Sequence, residues 1–455
     1  MATAPIADGR PAAGLETGMS LRKWRMVWMS VGGVLLDGYD ITIISVALLL
    51  LRPQFHATPA DVGFIGAATL AGSVVGALVF GYVADRVGRK YTFSWDIMFF
   101  VIFAIASAFS QNVWQLVVWR FLLGIGIGAD YALASPIIAE VIPTKNRGRI
   151  LAVNWALAWL VGELLAFGVG YLLIPVGPNA WRWMLAIGAI PAIIVLVARR
   201  SFVESPRWLA SIGRVEEAQA IARELDGDAE PRPAVTPPDA PAVTRKPVRH
   251  FEELFSAQYA KTTIFAFVNY FMFSLAFYMA GVFLPTILST AGFAKNPQSI
   301  ALGNLVVQSV GLLGMVACFA VIESVGRRVL VIGGFLGMAG GILIYLLTPN
   351  PTGAIMLVGF AIFEFMVFVG PGIMNNVYLG ELWPTRIRTT GAGIGAAGGR
   401  ISSMIGVFFL PLAAQAWGVK GMLLIPLTAC VLGAANALLF APETARRSLE
   451  EMWGE

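Results

Sequence analysis

Asp37 and Asp40 are two carboxylates, three residues apart, inside an otherwise apolar stretch of the chain. If that stretch is helical, both side chains lie on one face of the helix. Two carboxylates this close, out of bulk water, resist being ionised together, so one of them should keep a proton. This is the property of a proton carrier. The alternative is a structural role, in which either side chain supports a neighbouring helix.

Arg400 is a further charged residue in an apolar stretch, Gly399-Arg-Ile-Ser-Ser-Met-Ile-Gly406. A guanidinium is not neutralised by losing its proton, and it binds carboxylates through two parallel hydrogen bonds. Arg400 therefore predicts a site for an organic anion. The alternative is a structural ion pair with Glu163, Glu364 or Asp130. Glu163 is also a candidate second proton site, or the partner of Arg400 in the empty state.

The composition places these charges in a membrane. Of 455 residues, 57% are hydrophobic and 13% are charged, whereas a soluble protein carries about 25% charged residues. A hydrocarbon core has no water to satisfy backbone groups, so segments that span it must be helices. The sequence predicts an all-α integral membrane protein with twelve spans. They run approximately over 24–50, 60–83, 91–109, 113–139, 149–174, 181–198, 261–289, 299–322, 329–347, 353–379, 390–416 and 421–440.

The basic residues predict the orientation of these spans. Ten lie in the loops after spans 2, 4, 8 and 10, and four lie in the odd-numbered loops, so the even loops and both termini are expected in the cytoplasm of an inner or plasma membrane. The expected domains are a disordered tail over 1–20, a bundle over 21–200, a cytoplasmic linker with short amphipathic helices over 201–258, a second bundle over 259–442, and a tail over 443–455.

A sequence repeat relates the two halves of the chain. The segment Glu140-Val-Ile-Pro-Thr-Lys-Asn-Arg147 returns half a chain later as Glu381-Leu-Trp-Pro-Thr-Arg-Ile-Arg388. Asp85-Arg-Val-Gly-Arg-Lys90 returns in the same way as Glu323-Ser-Val-Gly-Arg-Arg328. A period of half the chain indicates two copies of one fold unit, which is how many secondary transporters are built.

Several motifs resemble those of known transporters. The loop from Gly81 to Lys90 resembles the signature loop of the major facilitator superfamily, and Arg120 with Gly124 is similar to that superfamily's helix 4 pattern. Four further motifs resemble the sugar-porter and general substrate (metabolite:proton symporter) branch: Gly38-Tyr-Asp40, Glu204-Ser-Pro-Arg-Trp-Leu209, Glu323 through Arg328, and Pro442-Glu-Thr444. The resemblance implies two pseudo-symmetric six-helix bundles.

The resemblance also implies roles for three charged residues of the predicted spans. Asp40 aligns with the carboxylate that carries the proton in proton-coupled sugar porters. Arg120 matches the arginine that pairs with that carboxylate. Arg400 resembles an arginine of organic-anion members of the superfamily.

The resemblance leaves the substrate open. Asp130-Tyr131 is similar to the phosphate:proton symporters, but Tyr270 and Ser274 replace the Trp and Asp that those proteins need on helix 7, and only Tyr278 is retained. The glutamine and asparagine pattern with which sugar porters bind hydroxyl groups is also missing. Its positions on helix 7 hold Met272, Phe273, Ala276 and Tyr278, which would leave sugar hydroxyls unpaired at a cost of roughly 1–3 kcal/mol each.

Aromatic side chains take the place of those amides. Aromatic walls bind planar rings by stacking, although such residues more often serve packing alone. The aromatic residues in question are Trp155, Trp159, Phe271, Phe273, Phe277 and Tyr278.

The repeated loops predict a cytoplasmic gate, defined here as the charged residues of both halves that close on one another in one transport state. The alternative is a static set of interfacial ion pairs, each worth about 0–1 kcal/mol. The residues of the predicted gate are Asp85, Arg86, Arg89, Glu140, Arg147, Glu204, Glu323, Arg327, Glu381, Arg388 and Glu443.

We predict from these features a secondary active transporter that carries a small organic anion, such as an aromatic monocarboxylate, together with protons by alternating access. Asp37 and Asp40 would carry the proton, with Arg120 controlling its binding. Arg400 would hold the carboxylate. The remaining side chains of the predicted substrate site are Asp130, Tyr131, Tyr278 and Asn376.

Two alternatives remain at this stage. One is a sugar or polyol:proton symporter, and the other is a substrate-sensing receptor that keeps the fold without transport. We expect no enzyme activity, no cofactor, no metal site and no nucleic-acid partner. The protein is expected to act as a monomer in the lipid bilayer. The two histidines, His56 and His250, lie outside the predicted spans.

Overall fold

The computed structural model describes residues 21–87, 89–141, 147–200, 204, 209, 213–226, 250–293, 296–384 and 387–445. All structural statements concern these residues. Within them the chain is almost wholly helical, as the lack of water in a hydrocarbon core requires.

The first half of the chain forms six helical segments. The last of them, α6, is divided at Gly188. Their bounds are α1 Leu21–Gln54, α2 Pro59–Val87, α3 Arg89–Ala108, α4 Val113–Val141, α5 Arg147–Leu173, and α6 with the two parts Ala180–Ile187 and Ala189–Arg199.

The second half repeats this arrangement after two linker helices, Val215–Asp226 and His250–Leu254. The helix Arg388–Phe440 contains a non-helical residue, Gly418 (φ 66°), and its two arms are called α11 and α12. The other bounds are α7 with the parts Ala260–Ala276, a π-helical turn Phe277–Val282, and Leu284–Thr290, then α8 Pro297–Val325, α9 Arg327–Leu347, and α10 with the parts Gly353–Val369 and Pro371–Glu381.

The number of crossings agrees with the twelve predicted from the sequence. Ten of the described helices are long and apolar enough to cross a membrane, and Thr92–Ala108 is a shorter apolar helix. One of the ten, Thr390–Phe440, is 51 residues long and contains the break at Gly418, so it supplies two crossings.

Two spans that read as continuous in the sequence are interrupted, and proline explains both interruptions. Pro285 has no N–H to donate to Gly281, and the π-helical turn lies directly before it. Pro371 follows Gly370, whose backbone leaves the helical region (φ −119°, ψ −113°) and divides α10.

One close contact between the two halves lies near one end of the molecule. We call the end that carries the α2–α3 and α8–α9 turns the basic face, and the other end the opposite face. Near the opposite face, a β-carbon at Gly63 would lie 2.5 Å from the carbonyl oxygen of Phe408, and one at Gly66 would lie 2.5 Å from Val407. The rings of Phe64 and Phe408 are 5.0 Å apart. Helix α2 of the first half therefore packs tightly on α11 of the second.

Glycines also set the spacing within a half. Gly124 and Gly128 of α4 bring the backbone of α4 against the carbonyl oxygens of Thr69 and Ser73 in α2. Small residues four apart allow such close approach between helices in a membrane.

Replacing Gly128 by alanine should therefore lower the thermal stability of the purified protein, because the added methyl group would overlap the Ser73 carbonyl and push α2 away from α4. We expect a cost of about 1–3 kcal/mol, measured as a lower melting temperature in detergent. The matched control is Gly168→Ala on α5, where a β-carbon would meet nothing within 4 Å. Equal stability of the two variants would contradict the role of the close contact.

Candidate functional site

The first charged pair of the site lies within the first half. Arg120 on α4 donates from Nη1 to Oδ1 of Asp40 on α1 at 2.6 Å, and from Nη2 to the carbonyl oxygen of Asp40 at 3.2 Å. Both side chains are buried. The structure thus brings together the two residues that the sequence motifs associated with proton binding.

The second charged pair joins the two halves. Arg400 on α11 donates from Nη2 to Oδ2 of Asp37 on α1 at 3.3 Å. Asp37 is fully buried, while the Arg400 side chain is 19% exposed. The partners suggested for Arg400 from the sequence were Glu163, Glu364 and Asp130, and the structure places Asp37 there instead.

Two tyrosines of α7 surround the Asp37–Arg400 pair. Tyr278 is buried and Tyr270 is half-buried, and both interact electrostatically with Asp37 and Arg400. Gly399, next to Arg400, allows α11 to approach α7 here, because a β-carbon at this position would overlap the Tyr270 ring and lie 2.9 Å from the Ser274 hydroxyl. Tyr278, predicted in the substrate site, therefore does lie beside Arg400.

An aromatic wall continues from Tyr278. Trp159 on α5 lies with its ring centroid 6.2 Å from those of Phe277 and Tyr278. Phe273 stacks on Phe277 at 5.5 Å. The wall connects the first half to α7, as expected for a site between the halves. The side chain of Trp155 lies outside the described residues.

The asparagines of α10 are engaged with their surroundings in this structure. Asn269 on α7 donates to Asn375. Asn376 is partly buried, and its amide donates to the carbonyl oxygen of Gly372, one turn earlier, at 3.1 Å. Its predicted contact with substrate remains a prediction.

Asp130 lies in a separate ion cluster of the first half. Arg199 at the end of α6 donates to Asp130 on α4 and to both carboxylate oxygens of Asp96 on α3, at 3.0 and 3.1 Å. The guanidinium also lies 3.4 Å from the centre of the Phe93 ring. Asp130 was predicted beside the substrate together with Tyr131, whose side chain is outside the described residues. The structure does not bring Asp130 to Arg400.

Neither Arg199 nor Asp96 was among the site residues predicted from the sequence. Asp96 is an ionisable residue inside the third predicted span, which was itself a signal, because such residues are costly in a membrane. Arg199 stands at the end of a span, where a positive charge looks like an ordinary boundary residue.

Glu163 on α5 and Glu364 on α10 are both fully buried and interact with each other electrostatically. Neither forms a salt bridge with an arginine or lysine among the described residues. Glu163 therefore is not the partner of Arg400 here.

Two described members of the predicted gate, Glu204 and Glu443, cap helices near the basic face. Glu204 accepts from the backbone N–H of Lys90 at 3.1 Å, at the start of α3. Glu443 accepts from the N–H groups of Arg327 and Arg328 at 3.0 and 3.1 Å, at the start of α9. Carboxylates stabilise helix N-termini in this way. The half-chain repeat is thus visible in three dimensions as two equivalent caps.

Each described contact of the predicted gate lies within one half. Arg327 is 3.7 Å from Glu381, and Thr444 donates to Glu381 at 2.5 Å, all within the second half. Closure between the halves remains a prediction. The other gate side chains lie outside the described residues, namely Asp85, Arg86, Arg89, Glu140, Arg147, Glu323 and Arg388.

An apolar cavity of about 510 Å³ lies between α2, α4 and α11, away from these charges. Its walls include Phe64, Phe121 and Phe408, and they carry no ionisable group. A cavity of this kind suits lipid chains, so the Asp37–Arg400 pair is the better candidate for a polar ligand.

The sequence is similar to those of known transport proteins. A sequence model of the family described as "Sugar (and other) transporter" matches residues 26–453. YaaU of Escherichia coli (strain K12) is 33% identical over 432 residues, which cover 95% of this chain and 94% of YaaU. The niacin transporter NiaP of Acinetobacter baylyi is 28% identical over 384 residues, which cover 84% of this chain and 85% of NiaP.

Solved structures show the same fold. The xylose transporter XylE from E. coli, in a partially occluded inward-open conformation, superimposes with a TM-score of 0.78 at 23% identity, covering 94% of this chain and 100% of XylE. A second structure shows XylE, described as a major facilitator proton:xylose symporter, bound to 6-bromo-6-deoxy-D-glucose. It superimposes with a TM-score of 0.73 at 24% identity and covers 95% of this chain and 98% of XylE.

Proposed function

Because the chain belongs to the sugar (and other) transporter family of the major facilitator superfamily, whose members move solutes across membranes, we propose that it carries a small organic acid together with protons by alternating access. An aromatic monocarboxylate is the proposed substrate. The observation that carries this proposal is the Asp37–Arg400 ion pair between the two halves.

In the Asp37–Arg400 pair, a substrate carboxylate would take the place of the Asp37 carboxylate on Arg400. In the empty protein, Arg400 is neutralised by Asp37. A substrate carboxylate that binds Arg400 displaces Asp37, which would leave an uncompensated buried charge unless Asp37 takes up a proton. One proton would then enter with each carboxylate, and the charge of the site would stay the same.

Asp40 and Arg120 have a different part in this cycle. Asp40 forms an ion pair with Arg120, with 2.6 Å between Oδ1 and Nη1, and it lies one helical turn from Asp37. The negative charge of Asp40 would favour protonation of Asp37 over its ionisation, because like charges at this spacing disfavour one another. Arg120 would control how strongly Asp40 acts.

The aromatic wall supports an aromatic ring as the remainder of the substrate. Tyr278 interacts with Arg400, and Trp159 and Phe277 extend the wall from Tyr278, which is an arrangement that suits a planar acid. NiaP supports the same substrate class, since niacin is an aromatic monocarboxylate.

A sugar is the second candidate substrate. The family description and the xylose transporter XylE favour it. Against it stands the lining of α7, where Met272, Phe273 and Ala276 offer no hydrogen bond to a hydroxyl group.

Uptake by the purified protein in liposomes would decide between the two. With the interior at higher pH than the medium, labelled nicotinate or benzoate should accumulate faster than in liposomes without protein, where only the uncharged acid crosses the bilayer, and a protonophore should abolish the accumulation. Labelled xylose and glucose should enter no faster than into liposomes without protein. Accumulation of a sugar and exclusion of both acids would overturn the proposal.

A further inference from the structure

Glu163 and Glu364 lie close to a junction of three helices, α5, α8 and α10. A β-carbon at Gly311 of α8 would lie 3.4 Å from Leu160 of α5 and 3.0 Å from Phe368 of α10. At this level α8 therefore contacts both α5, from the first half, and α10, from the second.

Three buried polar side chains sit one helical turn from this junction, all on the side of the opposite face. Glu163 follows Leu160 by three residues, Gln308 precedes Gly311 by three, and Glu364 precedes Phe368 by four. Residues three or four apart share one face of a helix, and α5 runs in the direction opposite to α8 and α10. The three side chains are therefore expected at about the same depth in the bundle, beside the boundary between the halves.

All three side chains are fully buried. In the part of the chain that the structure describes, neither oxygen of Glu364 and neither polar atom of the Gln308 amide forms a hydrogen bond. The indole of Trp159 is the neighbouring donor for Glu163, and it leaves most of the hydrogen-bonding capacity of that carboxyl group unused. A buried polar group without a partner is costly, so this arrangement indicates a ligand that the side chains bind together.

Among the described residues, no arginine or lysine forms a salt bridge with Glu163 or Glu364. Glu163 interacts with Glu364, with the indole of Trp159 and with Tyr278. The neighbouring acids on α1, Asp37 and Asp40, are held by Arg400 and Arg120. Glu364 faces the π-helical turn of α7, where a β-carbon at Gly281 would lie 3.4 Å from its Oε2 atom.

We propose that Glu163, Glu364 and Gln308 form a second proton-binding site, in which the two carboxyl groups share a proton across the boundary between the halves. Two carboxylates buried without a cation resist joint ionisation, and the shared proton turns their repulsion into a hydrogen bond. The Gln308 amide donates to an oxygen that the proton leaves unpaired. No third acidic, His or Cys side chain completes a metal site among the described residues.

This site would couple protonation to the contact between the halves. While α5 packs on α8 and α10, the proton holds Glu163 to Glu364. When the halves separate and water enters, both carboxyl groups ionise and the proton leaves. The inference rests on the proposed proton coupling and extends it to about two protons in each cycle, one at Asp37 and one here.

Thermal stability as a function of pH tests the site without any substrate. Raising the pH from about 6 to about 9 should remove the shared proton, leave two buried negative charges and lower the melting temperature of the wild type by several degrees. The double variant Glu163→Gln with Glu364→Gln has no such proton, so its curve should be flatter. The matched control is Glu217→Gln on the exposed linker helix, which should follow the wild type.

A transport measurement supplies the second readout. The ratio of protons to substrate should fall from about two in the wild type to about one in the double variant. With a pH gradient of about one unit, the highest accumulation of substrate should then fall about tenfold, because each coupled proton contributes about 1.4 kcal/mol per pH unit.

Identical stability curves for the wild type and the double variant would overturn the proposal. So would a wild-type melting temperature that rises with sodium chloride but not with choline chloride at high pH, since the site would then bind sodium. If the stability curves differ as expected but no organic acid is transported, the proton site stands and the proposed substrate fails.

Discussion

Replacing Arg400 by alanine should abolish concentrative uptake of the organic acid. The guanidinium is the described cation that lies beside Tyr278 and the aromatic wall and is partly exposed, at 19%. Hydrogen bonds to charged groups are worth about 1.5–3 kcal/mol each, so the loss of two such bonds should weaken substrate binding about 10²-fold or more. Binding of labelled nicotinate or benzoate to the purified variant would measure this loss.

The companion variant Asp37→Asn should separate binding from coupling. It removes the internal partner of Arg400, so the acid should bind at least as tightly as in the wild type. It also removes the proton acceptor, so accumulation driven by a pH gradient should disappear. Arg400→Lys should retain part of the binding, because the charge remains without the bidentate geometry. If Arg400→Ala and wild type bind the acid equally, Arg400 is a structural residue.

Replacing Arg199 by alanine should destabilise the protein more than any other single change considered. The substitution leaves Asp96 and Asp130 buried without their shared cation. Breaking a buried ion pair from one side costs about 3–5 kcal/mol, and two carboxylates are affected here. We expect a greatly reduced yield of folded protein and a lower melting temperature. Arg214→Ala is the matched control, because its ion pair with Glu217 is exposed and worth about 0–1 kcal/mol.

A second substitution distinguishes the structural role of Asp130 from its predicted role in binding. In the Arg199→Ala background, Asp130→Asn removes one uncompensated charge and should restore part of the lost stability, as a double-mutant cycle would show. If Asp130 instead contacts substrate, Asp130→Asn alone would weaken binding of the acid and leave the melting temperature unchanged.

The spans of α7 and α10 were predicted from the sequence, but their interruptions were not. Their apolar composition predicts the spans, because length and hydropathy are enough to define a crossing. The consequence of Pro285 and Pro371 was not predicted, although each proline is visible in the sequence. A proline inside a span can be accommodated by a kink, a π-helical turn or a full break, and the neighbouring helices decide which occurs.

The sequence also identified most of the buried charges as candidates for function, since an ionisable residue in a span is costly wherever it lies. It paired Asp40 with Arg120 through a resemblance to known transporters, and the structure places the two in contact. The pairing of Arg400 was not predicted correctly. Asp37 and Arg400 are 363 residues apart in the chain, and no local pattern relates them.

By itself, then, the amino-acid sequence determined that this protein is a twelve-span helical membrane protein built from two related halves, because hydropathy and repetition are properties of the chain alone. Only the tertiary structure decided the neighbours of the other buried charges. Arg199 binds Asp96 and Asp130, Arg400 binds Asp37, and Glu163 interacts with Glu364. The reason is that contacts between helices depend on their rotation and depth, which are set by packing across the whole bundle.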